Sequence, residues 1–155
     1  MNFFLSFYLE LRTLGLFRKS GNHTNIKKMK SQIDRVGGLV FDVNDVNPHD
    51  LAGLLKLYFA ELPDPIFTGN LSPRFIALYD VKDKQRRLEM LQKLMAELPK
   101  PHLDSSIYLL QFLTEVSQIQ ENQMGVRNIS VCFAPTLFGK KWAASFLSLP
   151  SFFSF

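Results

Sequence analysis

The run from residue 45 to residue 65, DVNPHDLAGLLKLYFAELPDP, contains a complete helix signal with its start and its stop. Asn47 and Pro48 supply a capping acceptor and a first-turn proline, which both suit the beginning of a helix. Pro63 ends the pattern, because proline lacks an N–H donor and restricts the residue before it. Between them, apolar residues recur at 3-and-4 spacing: Leu51, Leu54, Leu55, Tyr58, Phe59 and Leu62. The stretch therefore predicts a helix with a broad apolar stripe.

Helical spacing continues on both sides of this stretch, and prolines or glycines mark most of the boundaries. Upstream, Thr24 and Asn25 are the predicted caps of a helix that ends at Gly37-Gly38. Downstream, four helices are predicted: a short one from Ser72-Pro73, one that ends at Pro99-Lys100-Pro101, one over about 104–120, and one from about Met124 toward Pro135. The fragment 39–41 is the one stretch with strand character. The predicted fold class is all-α, a multi-helix bundle.

Length and composition predict one domain that spans residues 1–155. A chain of this length can bury roughly 70% of its unfolded surface. Its 18 basic and 14 acidic residues leave a mild net charge of +4. The single cysteine, Cys132, excludes an internal disulfide and suits a reducing compartment. No apolar run approaches the roughly 20 residues of a membrane span, and the apolar N-terminus does not resemble a secretory signal. We expect a cytoplasmic monomer.

Two lysine- and arginine-rich runs, at 27–30 and 82–87, raise the question of an anionic partner. Neither run carries interleaved aromatic residues on which bases would stack, so nucleic-acid binding is not predicted. Such runs are more often the solvated faces of helices. Peripheral contact with an acidic membrane surface stays open.

The sequence lacks the motifs of a self-contained enzyme. Its three histidines, His23, His49 and His102, are isolated from one another and from the cysteine, so no zinc site is predicted. No phosphate-binding P-loop and no nucleophile elbow are present. We therefore predict no cofactor of the chain's own.

The octet GLFRKSGN, at residues 15–22, contains the leading candidate for chemistry, Arg18. Leu16 and Phe17 can anchor in a core, while the Ser-Gly-Asn stretch that follows favours a turn. A guanidinium presented in this way suits phosphate oxygens, because it is planar and permanently charged. The alternative is an ordinary solvated or ion-paired arginine, which the octet alone leaves open.

Four stretches, in order and spacing, resemble the RhoGAP domain, whose members activate GTP hydrolysis by Rho-family small GTPases. They are GLFRKSG at 15–21, the helix stretch at 45–65, Leu98-Pro99, and NQMGVRNISVCFAPTL at 122–137. The resemblance covers a core of 15–139 and implies a RhoGAP-like helical bundle. The ends, 1–14 and 140–155, are atypical. Residues 1–14 only loosely resemble the helix that should precede the finger, and the family's last helices are absent beyond Lys141, so the chain looks truncated or altered at both ends.

The resemblance implies the roles of particular residues. The catalytic arginine finger of the family falls on Arg18, which would act in trans on GTP and Mg²⁺ that the partner GTPase carries. Lys56 and Asn128 would face that partner, whereas Pro135 would shape the end of the last helix. Without the resemblance, Lys56 is a solvated helix lysine and Asn128 is a capping amide.

Ala60 departs from the family pattern, which usually has a second arginine at this position, four residues after the lysine. An arginine there would share a helix face with Lys56 and support the finger loop, so its absence predicts weakened activity. This leaves an alternative from another class, a binding-only module that docks on a GTPase without accelerating hydrolysis. A third reading, a basic helical domain that docks on acidic lipid, rests on the lysine clusters and aromatic ends alone.

Overall fold

The computed structural model describes residues 10–38, 45–139 and 141, and regular structure within these ranges is entirely helical. The predicted all-α class is therefore confirmed. Two short 3₁₀ turns, Leu78–Asp80 and Gln120–Asn122, accompany the α-helices. The α-helices are α1 (His23–Val36), α2 (Pro48–Ala60), α3 (Ser72–Ala77), α4 (Lys84–Glu97), α5 (Lys100–Gln118) and α6 (Val126–Phe138). The predicted strand fragment at 39–41 and most of both atypical ends lie outside the described residues.

The caps of α1 differ in part from the prediction. Asn22, not Thr24 or Asn25, begins the helix, and its Oδ1 accepts the N–H groups of Thr24 and Asn25 at 2.9 and 3.2 Å. The predicted start was two residues late because all three residue types favour caps. The helix ends as predicted at Gly37, whose φ of 76° lies in the left-handed region that glycine adopts freely.

Prolines set the helix ends less sharply than the sequence predicted. Pro101 lies in the first turn of α5, where the missing N–H costs nothing, so this helix begins four residues before the expected start. Pro135 lies inside α6, which continues to Phe138. The prediction that α6 ends near Pro135 was wrong. Burial of the apolar residues after it, Leu137 and Phe138, offsets the backbone bond that proline removes.

Contacts divide the chain into two compact units, of which the first comprises residues 1–58 and 113–132. Its core is built around two polar side chains that are almost completely buried, Asp50 and Asn122. The apolar members of this core come from α1, α2, α5 and α6 and from the segments before α1 and α6: Leu11, Leu16, Phe17, Ile26, Met29, Ala52, Leu113, Val116, Met124 and Ile129.

The second unit comprises residues 59–112 and 133–155. Phe67, Phe75 and Phe138 form an aromatic cluster in its core, with ring centroids between 4.7 and 6.5 Å apart. One of the last carbonyl groups of α6 finds a partner here, because the Leu137 oxygen accepts the N–H of Phe67 at 3.2 Å. None of the described helices combines the length and hydrophobicity needed to cross a bilayer.

Candidate functional site

Arg18 lies on a tight turn of the first unit, directly after two buried residues. The N–H groups of Arg18 and Lys19 both donate to the carbonyl oxygen of Gly15, at 3.0 and 2.9 Å. Leu16 and Phe17 are 4% and 2% exposed, whereas Arg18 is exposed. The predicted arrangement, an apolar anchor that presents a cation, is therefore confirmed. The Arg18 side chain makes no hydrogen bond or ion pair with any residue in the described ranges.

The backbone of this turn is held in an unusual conformation. Gly15 has a φ of 73°, which suits glycine, but Phe17 has a φ of 68° and carries a bulky side chain. The left-handed region costs a residue with a side chain roughly 1–2 kcal/mol, so the surrounding contacts have to hold Phe17 there. Burial of its ring supplies one such contact, and its carbonyl group supplies another.

Lys56 provides that second contact. Its Nζ donates to the carbonyl oxygen of Phe17 at 2.7 Å, across 39 positions of sequence. The lysine is half-buried on α2, and so differs from the fully solvated helix lysine that is its simplest interpretation. A charged donor makes a stronger hydrogen bond than a neutral one. Lys56 therefore holds the backbone of the residue that precedes Arg18.

The loop that carries Arg18 runs from Phe17 to Asn22, and its second end is also bonded to α2. Asp50, in the first turn of α2, accepts the N–H of Asn22 at 2.6 Å and the Nδ2 of Asn25 at 2.9 Å. In the sequence, an aspartate at this position signals only the start of a helix, where it complements the helix dipole. Its contact with Asn22 spans 28 positions, and no local spacing pattern predicts it.

Asn122 holds the segment that leads into the turn. Its carbonyl oxygen accepts the N–H of Gly15 at 2.8 Å, and its Nδ2 donates to the carbonyl oxygens of Leu11 and Val116, both at 2.9 Å. Its Oδ1 accepts the N–H of Met124 at 2.7 Å. The side chain is fully buried and well satisfied, so it fixes the start of the loop against the chain that leads into α6.

Asn128 lies in the first turn of α6 and is half-buried. Its Nδ2 donates to the carbonyl oxygen of Gln123 at 3.3 Å, a local bond that matches its interpretation as a capping amide. Cys132, one turn further along, is on the same side of the helix. Burial raises the pKa of the Cys132 thiol, while the positive charges of Lys56 and Arg18 oppose that rise. The charges of Lys56 and Arg18 therefore act on the Cys132 thiol.

The same pKa direction suits a packing role for Cys132 and not a nucleophilic one. A thiol whose pKa lies above its ordinary value is protonated near neutral pH, and the thiolate is the nucleophilic form.

Ala60, the last residue of α2, is exposed, so no local packing excludes a longer side chain there. Within the described ranges, no group of three or more potential ligands is placed to hold a metal ion.

Comparison with known proteins gives consistent results. The model of the RhoGAP domain matches residues 6–141. The chain is 32% identical over 138 residues to the Rho GTPase-activating protein gacN of Dictyostelium discoideum. The matched region covers 86% of this chain and 23% of that protein. It is 36% identical over 131 residues to human Rho GTPase-activating protein 7, covering 83% of this chain and 8% of that protein.

The solved structures agree with the sequence matches. A crystal structure of human Rho GTPase activating protein 15 superposes with a TM-score of 0.78 at 28% identity, over 87% of this chain and 65% of that one. This chain thus spans less than a quarter of the length of the two curated relatives. On the match to residues 6–141 and these similarities, the chain belongs to the RhoGAP domain family.

Proposed function

We propose that this chain stimulates GTP hydrolysis by a Rho- or Rac-type small GTPase and that Arg18 is its catalytic residue. The single observation that carries the proposal is the presentation of Arg18, an exposed guanidinium without a bonding partner among the described residues, on a loop anchored at both ends. Membership of the family and the names of the relatives support the class of partner.

In the proposed mechanism, the partner carries GTP and Mg²⁺ and orients the attacking water. Arg18 enters the partner's active site and neutralises charge that develops on the transferring phosphoryl group. For small GTPases, an arginine supplied in trans is worth roughly 10³–10⁵ in rate. At about 1.4 kcal/mol per factor of ten, that is roughly 4–7 kcal/mol of transition-state stabilisation. A fork-shaped, permanently charged donor suits this task better than a flexible ammonium.

The residues around Arg18 contribute by holding its loop in one conformation before the partner binds. An arginine on a loose loop would lose conformational entropy when it binds, and that loss would reduce the acceleration. The buried Leu16 and Phe17, the Lys56 bond to the Phe17 carbonyl and the Asn122 bond to Gly15 restrict the loop before the partner arrives. We infer that Lys56 braces the finger loop and that Asn128 lines the surface beside it.

Ala60 favours the second candidate function, a module that binds a GTPase without activating it. An exposed methyl group at the end of α2 neither donates a hydrogen bond nor carries charge, so the chain lacks the second cation that the family pattern usually has. The two candidates agree on binding and differ on the rate of hydrolysis.

Single-turnover hydrolysis with binding measured in parallel separates them. The chain is titrated against Rho- and Rac-type GTPases loaded with GTP, and affinity is measured with a non-hydrolysable GTP analogue. An activator raises the hydrolysis rate to a plateau at the concentrations where binding saturates. Saturable binding with an unchanged rate supports the binding-only module, and the absence of both effects contradicts either function.

A further inference from the structure

Asp50 is a buried acidic residue that takes no direct part in the proposed chemistry. The residue is only 3% exposed. A buried carboxylate is costly unless hydrogen bonds compensate it. Asp50 meets this condition with one donor on each oxygen, the backbone N–H of Asn22 on Oδ1 and the side-chain amide of Asn25 on Oδ2. Both donors belong to the end of the Arg18 loop or to the first turn of α1.

Gly21 shows how closely the loop approaches this carboxylate. A Cβ atom at Gly21 would lie 2.5 Å from Asp50 Oδ1 and 2.6 Å from the carbonyl oxygen of His49. Both distances are well below van der Waals contact, and the His49 oxygen belongs to the backbone of a helix. Gly21 therefore lets the loop lie directly against the start of α2, where the Asp50 bond to Asn22 holds it.

We propose that Asp50 is a positioning residue for Arg18, an inference that rests on the proposed function. The loop from Phe17 to Asn22 is fastened to one helix at its two ends by bonds of opposite polarity. Lys56 donates to the carbonyl oxygen of Phe17 at 2.7 Å, and Asp50 accepts the N–H of Asn22 at 2.6 Å. Arg18 lies between these two ties. Asp50 is buried in the first turn of α2, so it acts through its bonds to the loop and to α1 and not by touching the GTPase.

Substitutions at Asp50 and Asn25 can remove the hydrogen bonds of Asp50 and then restore them. In Asp50→Asn, one carboxylate oxygen becomes an NH₂ group that faces the NH₂ group of Asn25 or the N–H of Asn22, so one bond is lost. Asn25→Asp alone places two carboxylates together. In the double variant Asp50→Asn/Asn25→Asp, the amide of residue 50 can accept from Asn22 and donate to the new carboxylate, which restores both bonds.

We expect Asp50→Asn to lower the single-turnover rate at a saturating concentration of the chain by about tenfold to a hundredfold, since a small misplacement of a catalytic group has effects of this size. The affinity for a GTPase loaded with a non-hydrolysable GTP analogue should change by less than about threefold. The double variant should recover most of the rate. Gly21→Ala, which leaves Asp50 in place but displaces the loop, should show the same separation of rate from affinity.

Two controls separate positioning from general stability. In an Arg18→Ala background, Asp50→Asn should have no further effect on the rate, because a positioning residue acts only through the group that it positions. Amide hydrogen exchange should speed up at residues 18–22 in Asp50→Asn and slow again in the double variant. Thermal melting shows whether each variant is folded.

The outcomes are distinct. If the parent chain accelerates hydrolysis and Asp50→Asn matches it, or if Asp50→Asn slows the Arg18→Ala chain by the same factor, the positioning role is overturned while the proposed function stands. Failure of the double variant to recover either the rate or the slow exchange also overturns it. If the parent chain produces no acceleration, the proposed function itself falls.

Discussion

At the scale of single residues, the candidate site consists of one exposed cation and several neighbours that restrain its backbone. Leu16 and Phe17 are buried, and Phe17 adopts a left-handed conformation with a φ of 68°. Such strain persists only where the surroundings fix it. The bond from Lys56 to the Phe17 carbonyl oxygen is one of those restraints. The backbone of Phe17 is thus restrained, whereas the Arg18 side chain makes no hydrogen bond or ion pair with the described residues.

Replacing Lys56 by methionine tests whether the lysine braces the loop or docks on the partner. Methionine keeps an unbranched stem of similar length but has no charged donor, so the Phe17 carbonyl oxygen loses its partner. We expect the hydrolysis rate at saturation to fall by about tenfold or more, because loss of a charged hydrogen bond is worth about 1.5–3 kcal/mol. The rate and the affinity are measured at low and at physiological salt.

The docking role that the sequence predicts has a different signature. A lysine that contacts the partner through an exposed interface contributes mainly to affinity, and that contribution weakens as salt rises. An unchanged saturating rate together with a salt-dependent loss of affinity would therefore reject the bracing role and retain docking.

At the scale of elements, α2 organises the site. Its first turn provides Asp50 and its middle provides Lys56, and these two side chains hold the two ends of the loop that carries Arg18. The helix itself was predictable from residues 45–65, because its cap, apolar spacing and terminal proline are local signals. It ends at Ala60, two residues before the last residue of the predicted apolar face.

Local sequence patterns do not predict contacts between residues that are far apart in the sequence. The sequence predicted that Leu16 and Phe17 are buried and that Arg18 projects, since both follow from residue type. It did not predict the bonds of Lys56 and Asp50 to the loop, because these join residues 39 and 28 positions apart. The predicted start of α5 and the predicted end of α6 were wrong at Pro101 and Pro135 for a related reason. A proline is tolerated in a first turn or in a well-packed helix, and the sequence does not reveal the packing.

Ala60→Arg tests whether the departure from the family pattern limits the chain. The position is exposed and terminates α2, and arginine is nearly as good a helix former as alanine. We expect an unfolding free energy within about 0.5 kcal/mol of the parent, as for most surface substitutions, and a faster single-turnover rate. Ala60→Gln, which adds length without charge, is the matched control. An unchanged rate with an unchanged melt would exclude this position as the limiting one.

At the scale of the whole molecule, the proposed reaction needs two proteins, because the chain is proposed to contribute a cation to an active site that the partner builds. The family match covers most of this chain, yet the chain spans only 23% and 8% of the two relatives described above. The activity therefore has to be measured on this chain itself, with its own Ala60 and its own ends. The whole proposed reaction depends on Arg18 acting in the transition state.

Arg18→Ala removes this cation, and Arg18→Lys is the control that keeps the charge but loses the planar fork. An interaction made only in the transition state contributes to rate and not to ground-state affinity. We predict that Arg18→Ala binds a Rho-type GTPase, loaded with a non-hydrolysable GTP analogue, about as tightly as the parent, and loses most of the acceleration in single-turnover hydrolysis, with Arg18→Lys recovering little. If Arg18→Ala stimulates hydrolysis as strongly as the parent chain does, Arg18 is not the catalytic finger.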